Sequence, residues 1–100
     1  MPLSNHDKKQ LRSIGHSLNP IVTVAGNGLT ENVMTEIERA LTDHELIKVK
    51  FMVPDRELKK QAVEEVCRLT KAELAQMIGH IALLYRKADK PNPKLSNLLR

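Results

Sequence analysis

Residues 20–41 read PIVTVAGNGLTENVMTEIERAL and contain a strand, a turn and a helix in direct succession. The β-branched run at 21–24 stops at two closely spaced glycines, which predicts a buried strand followed by a tight turn. Thr30 is suited to cap the helix that follows, and apolar residues recur at helical spacing to about residue 44. This strand, turn and helix predict an α/β fold.

The chain on the N-terminal side of this unit predicts another helix, over about residues 4–16. Its capping sequence begins at Ser4, and the apolar residues that follow keep helical spacing. Lys8, Lys9 and Arg12 remain on or near the solvated side of that helix.

On the C-terminal side, residues 46–52 alternate in polarity, which predicts a second strand. Ile47, Val49 and Phe51 are expected on one face, with Lys48 and Lys50 on the other. The lysines bind a partner or simply keep that face soluble, and the sequence leaves both interpretations open.

Three more elements complete the predicted order. Pro54 and Asp55 begin a third helix, and the apolar runs 72–78 and 81–87 form a hairpin around Gly79-His80. The order αβαβαββ predicts a single α/β domain with a four-stranded mixed sheet packed by helices. We expect this domain to span residues 1–88, and a loosely ordered basic tail to span 89–100.

Composition favours an anionic partner. The 100 residues carry 16 Lys and Arg against 12 Asp and Glu, a formal net charge of +4. An acidic segment at 30–46 lies between basic segments. If the fold separates these segments, one face of the protein attracts polyanions and another repels them. Only 2% of residues are aromatic, which argues against a platform on which bases stack. Nucleic acid is the first candidate.

Several classes of site lack their patterns in the sequence. The four histidines have no metal-ligand spacing, and the single Cys67 has no partner for an intrachain disulfide. Neither a nucleophile elbow nor a phosphate-loop motif is present. No apolar run approaches the length of a membrane span or a signal peptide. We therefore expect a cytoplasmic monomer that is not an enzyme and has no cofactor, metal site or membrane association.

The turn at residues 25–30 has two interpretations. Glycine permits close approach of a nucleic-acid backbone, and the helix N-terminus that follows supplies unpaired amides and partial positive charge. Any tight connection from a strand to a helix also uses Gly and Asn, so the turn alone does not settle the matter.

The wider pattern resembles a known family, the CRM domain, and more closely its bacterial stand-alone YhbY-type members. The resemblance covers about residues 3–87 and rests on residues 20–41, on HELIKVK at 44–50 and on LLYRK at 83–87. It implies an RNA-binding fold similar to the C-terminal domain of translation initiation factor 3. It also implies a GxxG loop, compared with that of KH domains, which maps to residues 25–28 with Ala25 at the first glycine position.

The resemblance further implies an association with precursors of the large ribosomal subunit. We accordingly predict a ribosome assembly factor that binds ribosomal RNA mainly through its backbone and shape. The predicted RNA-binding residues are the loop and the surrounding cations: Ala25, Gly26, Asn27, Gly28, Leu29, Thr30, Lys8, Lys9, Arg12, Lys48, Lys50, Arg56, Arg86 and Lys87. The alternative is a protein-interaction module whose acidic helix 30–44 docks a ribosomal protein or factor.

Overall fold

A computed structural model describes residues 5–25, 28–90 and 96 of the chain and confirms the predicted order of elements. The elements are α1 (Asn5–Gly15), β1 (Pro20–Val24), α2 (Glu31–His44), β2 (Leu46–Phe51), α3 (Arg56–Thr70), β3 (Glu73–Ile78) and β4 (Ile81–Tyr85). The prediction that the last strand reaches residue 87 is wrong. β4 ends at Tyr85 because the strands on either side, β2 and β3, begin opposite that residue. The predicted Ser4 cap lies outside the described residues.

The four strands form one mixed sheet in the order β1-β2-β4-β3. β1 and β2 are parallel, as the intervening helix requires, whereas β4 is antiparallel to both of its neighbours. The turn between β3 and β4 lies at Gly79, whose φ of +56° is the left-handed conformation expected of glycine in a tight hairpin.

Side-chain caps fix the beginnings of α2 and α3. Thr30 Oγ1 accepts a hydrogen bond from the Val33 amide at 3.2 Å, and Asp55 Oδ1 accepts one from the Leu58 amide at 3.0 Å. Each cap satisfies an amide that would otherwise lack a helical partner, so both helices start at defined residues.

The first face of the sheet is covered by α2 and α3. Ile47, Val49 and Phe51 point into this main core together, as predicted, and are almost fully buried. Ile37 of α2 and Val66 of α3 lie in the same core with no exposed surface. Aliphatic side chains fill nearly all of this layer, since Phe51 is its single aromatic residue among the described part of the chain.

The second face is covered only in part, by α1. Leu11 of α1 forms a smaller core with Leu46, Ala75 and Leu83. Lys48 and Lys50 lie on the same face of β2 as Leu46 but beyond the helix, half-buried and exposed respectively. The half of this face farther from Leu46 is therefore open to solvent.

The corner between α2 and β2 holds the chain that follows the last strand. Glu45 has a φ of +63° and is only 4% exposed. Its carboxylate accepts hydrogen bonds from the Ala88 amide at 3.0 Å and the Ser96 hydroxyl at 2.8 Å. Ser96 thus contacts the domain, whereas residues 91–95 and 97–100 of the predicted tail lie outside the described part.

None of the described helices is both long enough and apolar enough to cross a membrane.

Candidate nucleic-acid interface

Three connections meet at one end of the sheet, which we call the loop end, and its described residues are 25, 28–30, 52–55 and 79–80. They meet because parallel β1 and β2 both finish there and antiparallel β4 starts there. Two backbone hydrogen bonds join them, from the Met52 amide to the Val24 carbonyl at 2.8 Å and from the Phe51 amide to the His80 carbonyl at 2.7 Å. The loop end is therefore a connected surface rather than three separate loops.

The loop between β1 and α2 presents its backbone to solvent at Gly28. This glycine has a φ of +76°, and no atom lies within 4 Å of the position a Cβ would occupy. Its amide donates to the Ala25 carbonyl at 2.9 Å, and its carbonyl accepts from the Thr30 amide at 3.1 Å. Gly26 and Asn27, which complete the predicted cradle, lie outside the described residues.

Ala25 replaces the first glycine of the loop pattern without backbone strain. Among the described non-glycine residues, positive φ occurs at Glu45 and Lys71, and Ala25 is not one of them. The alanine therefore carries no left-handed penalty. Leu29, another predicted contact, is half-buried and packs against the main core.

Two helices begin at the loop end. α2 starts after Thr30 and α3 starts after Asp55, so the N-termini of both helices, with their unpaired amides, lie at the loop end. Helix N-termini carry partial positive charge and suit anions such as phosphate. The Asp55 carboxylate offsets part of this charge at α3, whereas α2 has the neutral hydroxyl of Thr30 as its cap. Each helix also carries one carboxylate in its first turn, Glu31 in α2 and Glu57 in α3.

Cations surround these helix ends. The predicted contacts Lys50 and Arg56 are both exposed here, at the end of β2 and the first residue of α3. The prediction missed Lys59 and Lys60 as members of the same group, and it missed the neighbouring His80. Lys59 Nζ lies 3.5 Å from His80 Nδ1, which also lies 3.1 Å from the Phe51 carbonyl oxygen.

The missed lysines had a recognisable sequence pattern. They lie within one turn of Arg56, so any helix that begins at residue 56 presents them near its positive end. No sequence pattern predicts the position of His80, because its approach to Lys59 depends on the pairing of β4 with β2.

The basic residues of α1 lie away from the loop end. This helix crosses the second face of the sheet, and Asp7 in its first turn is near enough to Tyr85 to contribute to the raised pKa of that phenol, after burial and Glu45. Lys8 and Lys9 therefore lie toward the opposite end of the sheet, and Arg12 lies one turn further along α1. They share a face with Lys48 but not the loops.

Arg86 and Lys87 lie at the opposite end of the sheet from the loops, because both follow β4. The Arg86 guanidinium donates to Glu38 Oε2 at 2.7 Å and to the Thr70 carbonyl at 2.9 Å. It also donates to the Glu38 carbonyl at 3.1 Å and the Thr42 hydroxyl at 3.0 Å. Arg86 is thus occupied within the fold, whereas Lys87 is exposed.

Two kinds of chemical site can be assessed among residues 5–25, 28–90 and 96: a metal centre and a reactive thiol. This part of the chain holds no group of three or more metal-ligating side chains. Burial, followed by repulsion from Glu73 and Glu64, raises the pKa of the Cys67 thiol to about 11. A thiol with that pKa is largely protonated at neutral pH and is a poor nucleophile.

Known proteins are similar to this chain over nearly its whole length. A family model described as the CRS1 / YhbY (CRM) domain matches residues 3–86. A probable RNA-binding protein of Pseudomonas aeruginosa is 51% identical over 100 residues, covering all of this chain and 96% of that protein. An RNA-binding protein of Haemophilus influenzae is 48% identical over 93 residues, covering 93% and 94% of the two chains.

A solved structure shares the same architecture. The solution structure of a hypothetical protein of Staphylococcus aureus, described as a candidate RNA-binding protein, superposes with a TM-score of 0.78. The two sequences are 33% identical, and the match covers 88% of this chain and 92% of the other.

Proposed function

Because this chain belongs to the CRS1/YhbY (CRM) domain family, we propose that it binds RNA through the loop end. The observation that carries the proposal is the meeting of two helix N-termini and an open glycine backbone with a group of exposed cations. Phosphate oxygens are complementary to all three features. The names of the relatives, which describe RNA-binding proteins, support the same conclusion.

The internal ion pairs of the acidic helix α2 favour RNA binding over the alternative, docking of a basic protein on this helix. Two of the acidic side chains of α2 already have internal cationic partners: Glu38 binds Arg86, and Asp43 lies 4.0 Å from Arg39. Less acidic surface is therefore available for a basic protein than the sequence indicates. We do not adopt docking through residues 30–44 as a second function.

We further propose that the bound RNA is ribosomal, in precursors of the large subunit, and that the protein acts as a cytoplasmic monomer in ribosome assembly. This finer proposal rests on the resemblance to the stand-alone YhbY-type proteins. A small basic domain that contacts phosphates through its backbone suits a folded RNA, in which loops and bulges expose the phosphates at irregular angles.

The experiment is ultraviolet crosslinking in cells that carry the tagged full-length protein, with sequencing of the attached RNA and mapping of the crosslinked peptides. We expect a peak in large-subunit ribosomal RNA, with attachment sites in the peptides of the loop end. A protein that crosslinks RNA broadly with no ribosomal peak contradicts the ribosomal part of the proposal. A protein that recovers no RNA contradicts the whole proposal and favours protein docking.

A further inference from the structure

A shallow depression of about 170 Å³ lies on the open half of the second sheet face, beside the C-terminal end of α1. It is lined by residues from three strands and the chain after α1: His16, Lys48, Gln76, Ile78, Ile81 and Leu83. None of these six residues has a role in the proposal above.

Strand pairing builds the depression. Lys48 and Gln76 both pair with Leu83, which places them on either side of this buried leucine. In the next row toward the loop end, Ile81 pairs with both Lys50 and Ile78. Neighbouring strands lie about 4.8 Å apart, so each row is wide enough to contact a flat ring.

The close approach of α1 forms the remaining wall. Gly15, the last residue of α1, lies so near Leu83 that a Cβ at this position would come within 2.7 Å of Leu83 Cδ2. Because glycine has no side chain, the helix ends against the sheet and delivers His16 to the rim of the depression.

The lining combines apolar walls with unused polar groups. Within the described part of the chain, the side chains of His16, Lys48 and Gln76 have no hydrogen-bond partner. Ile78 is 64% exposed although it lies in a strand, and no strand residue in these two rows is acidic. Apolar walls with a few convergent polar groups are the usual composition of a site for a small planar ligand.

We propose that this depression receives one unpaired nucleobase of the bound RNA, with Ile78 and Ile81 against the ring and Gln76 at its hydrogen-bonding edge. The proposal rests on RNA binding at the loop end. Lys50 belongs both to that surface and to the row beside the depression, so one RNA strand can reach both places. A base in a duplex has its Watson–Crick edge paired and its faces stacked, and the phosphates of a duplex would meet exposed isoleucine instead.

This site adds base recognition to a surface that otherwise contacts phosphates. The side-chain amide of Gln76 has two donors and an acceptor, so it distinguishes bases by their edges, whereas isoleucine contacts any base. Ile78 therefore contributes affinity for unpaired RNA in general, and Gln76 contributes preference among bases.

The test measures dissociation constants by fluorescence anisotropy for the full-length protein at one salt concentration. The probes are short homopolymers of adenosine, cytidine and uridine, and a blunt RNA duplex of the same length. Ile78→Ser should weaken homopolymer binding about fivefold or more, from the lost apolar contact. Gln76→Ala should reduce the difference between the best and worst homopolymer by a similar factor. Duplex binding should stay within about twofold for both.

Matched controls come from α3, which packs on the other face. Leu69 is also an exposed aliphatic residue, at 48%, and Gln61 is an exposed glutamine. Leu69→Ser and Gln61→Ala should leave all the dissociation constants unchanged. Thermal melting of each variant excludes a loss of folding.

Two results overturn the proposal, and they differ in what they say of RNA binding itself. If the wild type binds RNA but the Ile78 and Gln76 variants bind every probe as it does, the depression takes no base and the loop-end proposal remains. If the wild type binds none of the probes, both proposals fail.

Discussion

Arg86 joins three elements through a single guanidinium group. Its four hydrogen bonds reach the side chain and carbonyl of Glu38, the hydroxyl of Thr42 and the last carbonyl of α3 at Thr70. The side chain is 21% exposed, so water replaces these bonds poorly if the guanidinium is removed. This residue stabilises the end of the sheet opposite the loops.

Replacing Arg86 should therefore destabilise the protein. Arg86→Ala removes the donor to the Thr70 carbonyl and to the Glu38 carboxylate, whereas the Glu38 carbonyl keeps a hydrogen bond from the Thr42 hydroxyl. We expect the free energy of unfolding to fall by about 2–3 kcal/mol. Urea denaturation measures this change. The neighbouring exposed residue provides the control, since Lys87→Ala should change the free energy of unfolding by less than about 0.5 kcal/mol. Equal effects of the two variants would contradict this role.

Cys67 should be unreactive in the folded protein. Its pKa is raised from 9.0 to about 11, mainly by burial, so the thiolate fraction at pH 8 falls by about 100-fold and alkylation by iodoacetamide should slow accordingly. The measurement compares folded and urea-denatured protein by mass spectrometry. Equal alkylation rates in the two states would contradict the burial of the thiol.

The same shift gives a pH dependence of stability. The folded state keeps the thiol proton to about pH 11, whereas the unfolded state loses it near 9.0. Ionisation then favours the unfolded state, so this contribution is complete below pH 9 and is lost as the pH rises toward 11. The wild type should lose more stability than Cys67→Ala over that interval, and parallel losses would contradict the assignment.

Among the elements, the N-terminal helix depends on one close contact. Gly15 touches Leu83 with no room for a Cβ, and Leu83 is 2% exposed and cannot move freely. Gly15→Val should therefore push α1 from the sheet and lower the free energy of unfolding by about 1–3 kcal/mol. Ser13→Val, an exposed position of the same helix, controls for the helix propensity of valine. Thermal melting compares them, and equal melting temperatures would contradict the contact.

The loop between β1 and α2 should tolerate asparagine at Gly28 in folding but not in RNA binding. The backbone there is left-handed and the surrounding space is empty. Asparagine adopts this conformation with little strain, whereas valine in the same conformation is strained by about 1–2 kcal/mol. We expect Gly28→Asn to melt near the wild type and to bind RNA several-fold more weakly, because its side chain occupies the space of an approaching phosphate.

Melting curves and RNA titrations of Gly28→Asn and Gly28→Val separate the two roles of this glycine. If Gly28→Asn binds RNA as tightly as the wild type, the RNA backbone does not approach the protein closely at Gly28. If Gly28→Asn unfolds at much lower temperature, the glycine serves the fold.

Local patterns were sufficient to predict most elements. The caps at Thr30 and Asp55 and the alternation through Ile47, Val49 and Phe51 are properties of neighbouring residues, and the structure confirms them. The end of β4 was predicted too late because a strand stops where its partners stop, which is a property of the sheet. Residues 86 and 87 continue the pattern of β4 but have no partner strand.

In the molecule as a whole, the cations of the predicted positive field are divided between the two ends of the sheet. Lys50 and Arg56 meet at the loop end because strand direction and helix capping place them there. Arg86 was predicted as part of the same positive field, yet it lies at the other end and binds Glu38. A sum of charges along the chain contains no information about which cations already have anionic partners.

The whole molecule is thus polarised along its sheet. The loop end gathers the N-termini of α2 and α3 beside Lys50, Arg56 and Lys60. The opposite end holds the C-terminal ends of the same helices, Glu45, the Arg86–Glu38 pair and the exposed Lys71, Lys87 and Lys90. A polyanion should bind one end in preference to the other. That asymmetry distinguishes phosphate contacts at a defined surface from general attraction to a basic protein.

The most direct measurement is the salt dependence of the dissociation constant for single-stranded RNA. Neutralising about five phosphates predicts a log-log slope of about −3.5 for the wild type. The double variant Lys50→Gln, Arg56→Gln should have a slope shallower by about 1.4, while Lys71→Gln, Lys90→Gln at the opposite end should retain that of the wild type. A flat salt response, or equal slopes for the two double variants, would contradict RNA binding at the loop end.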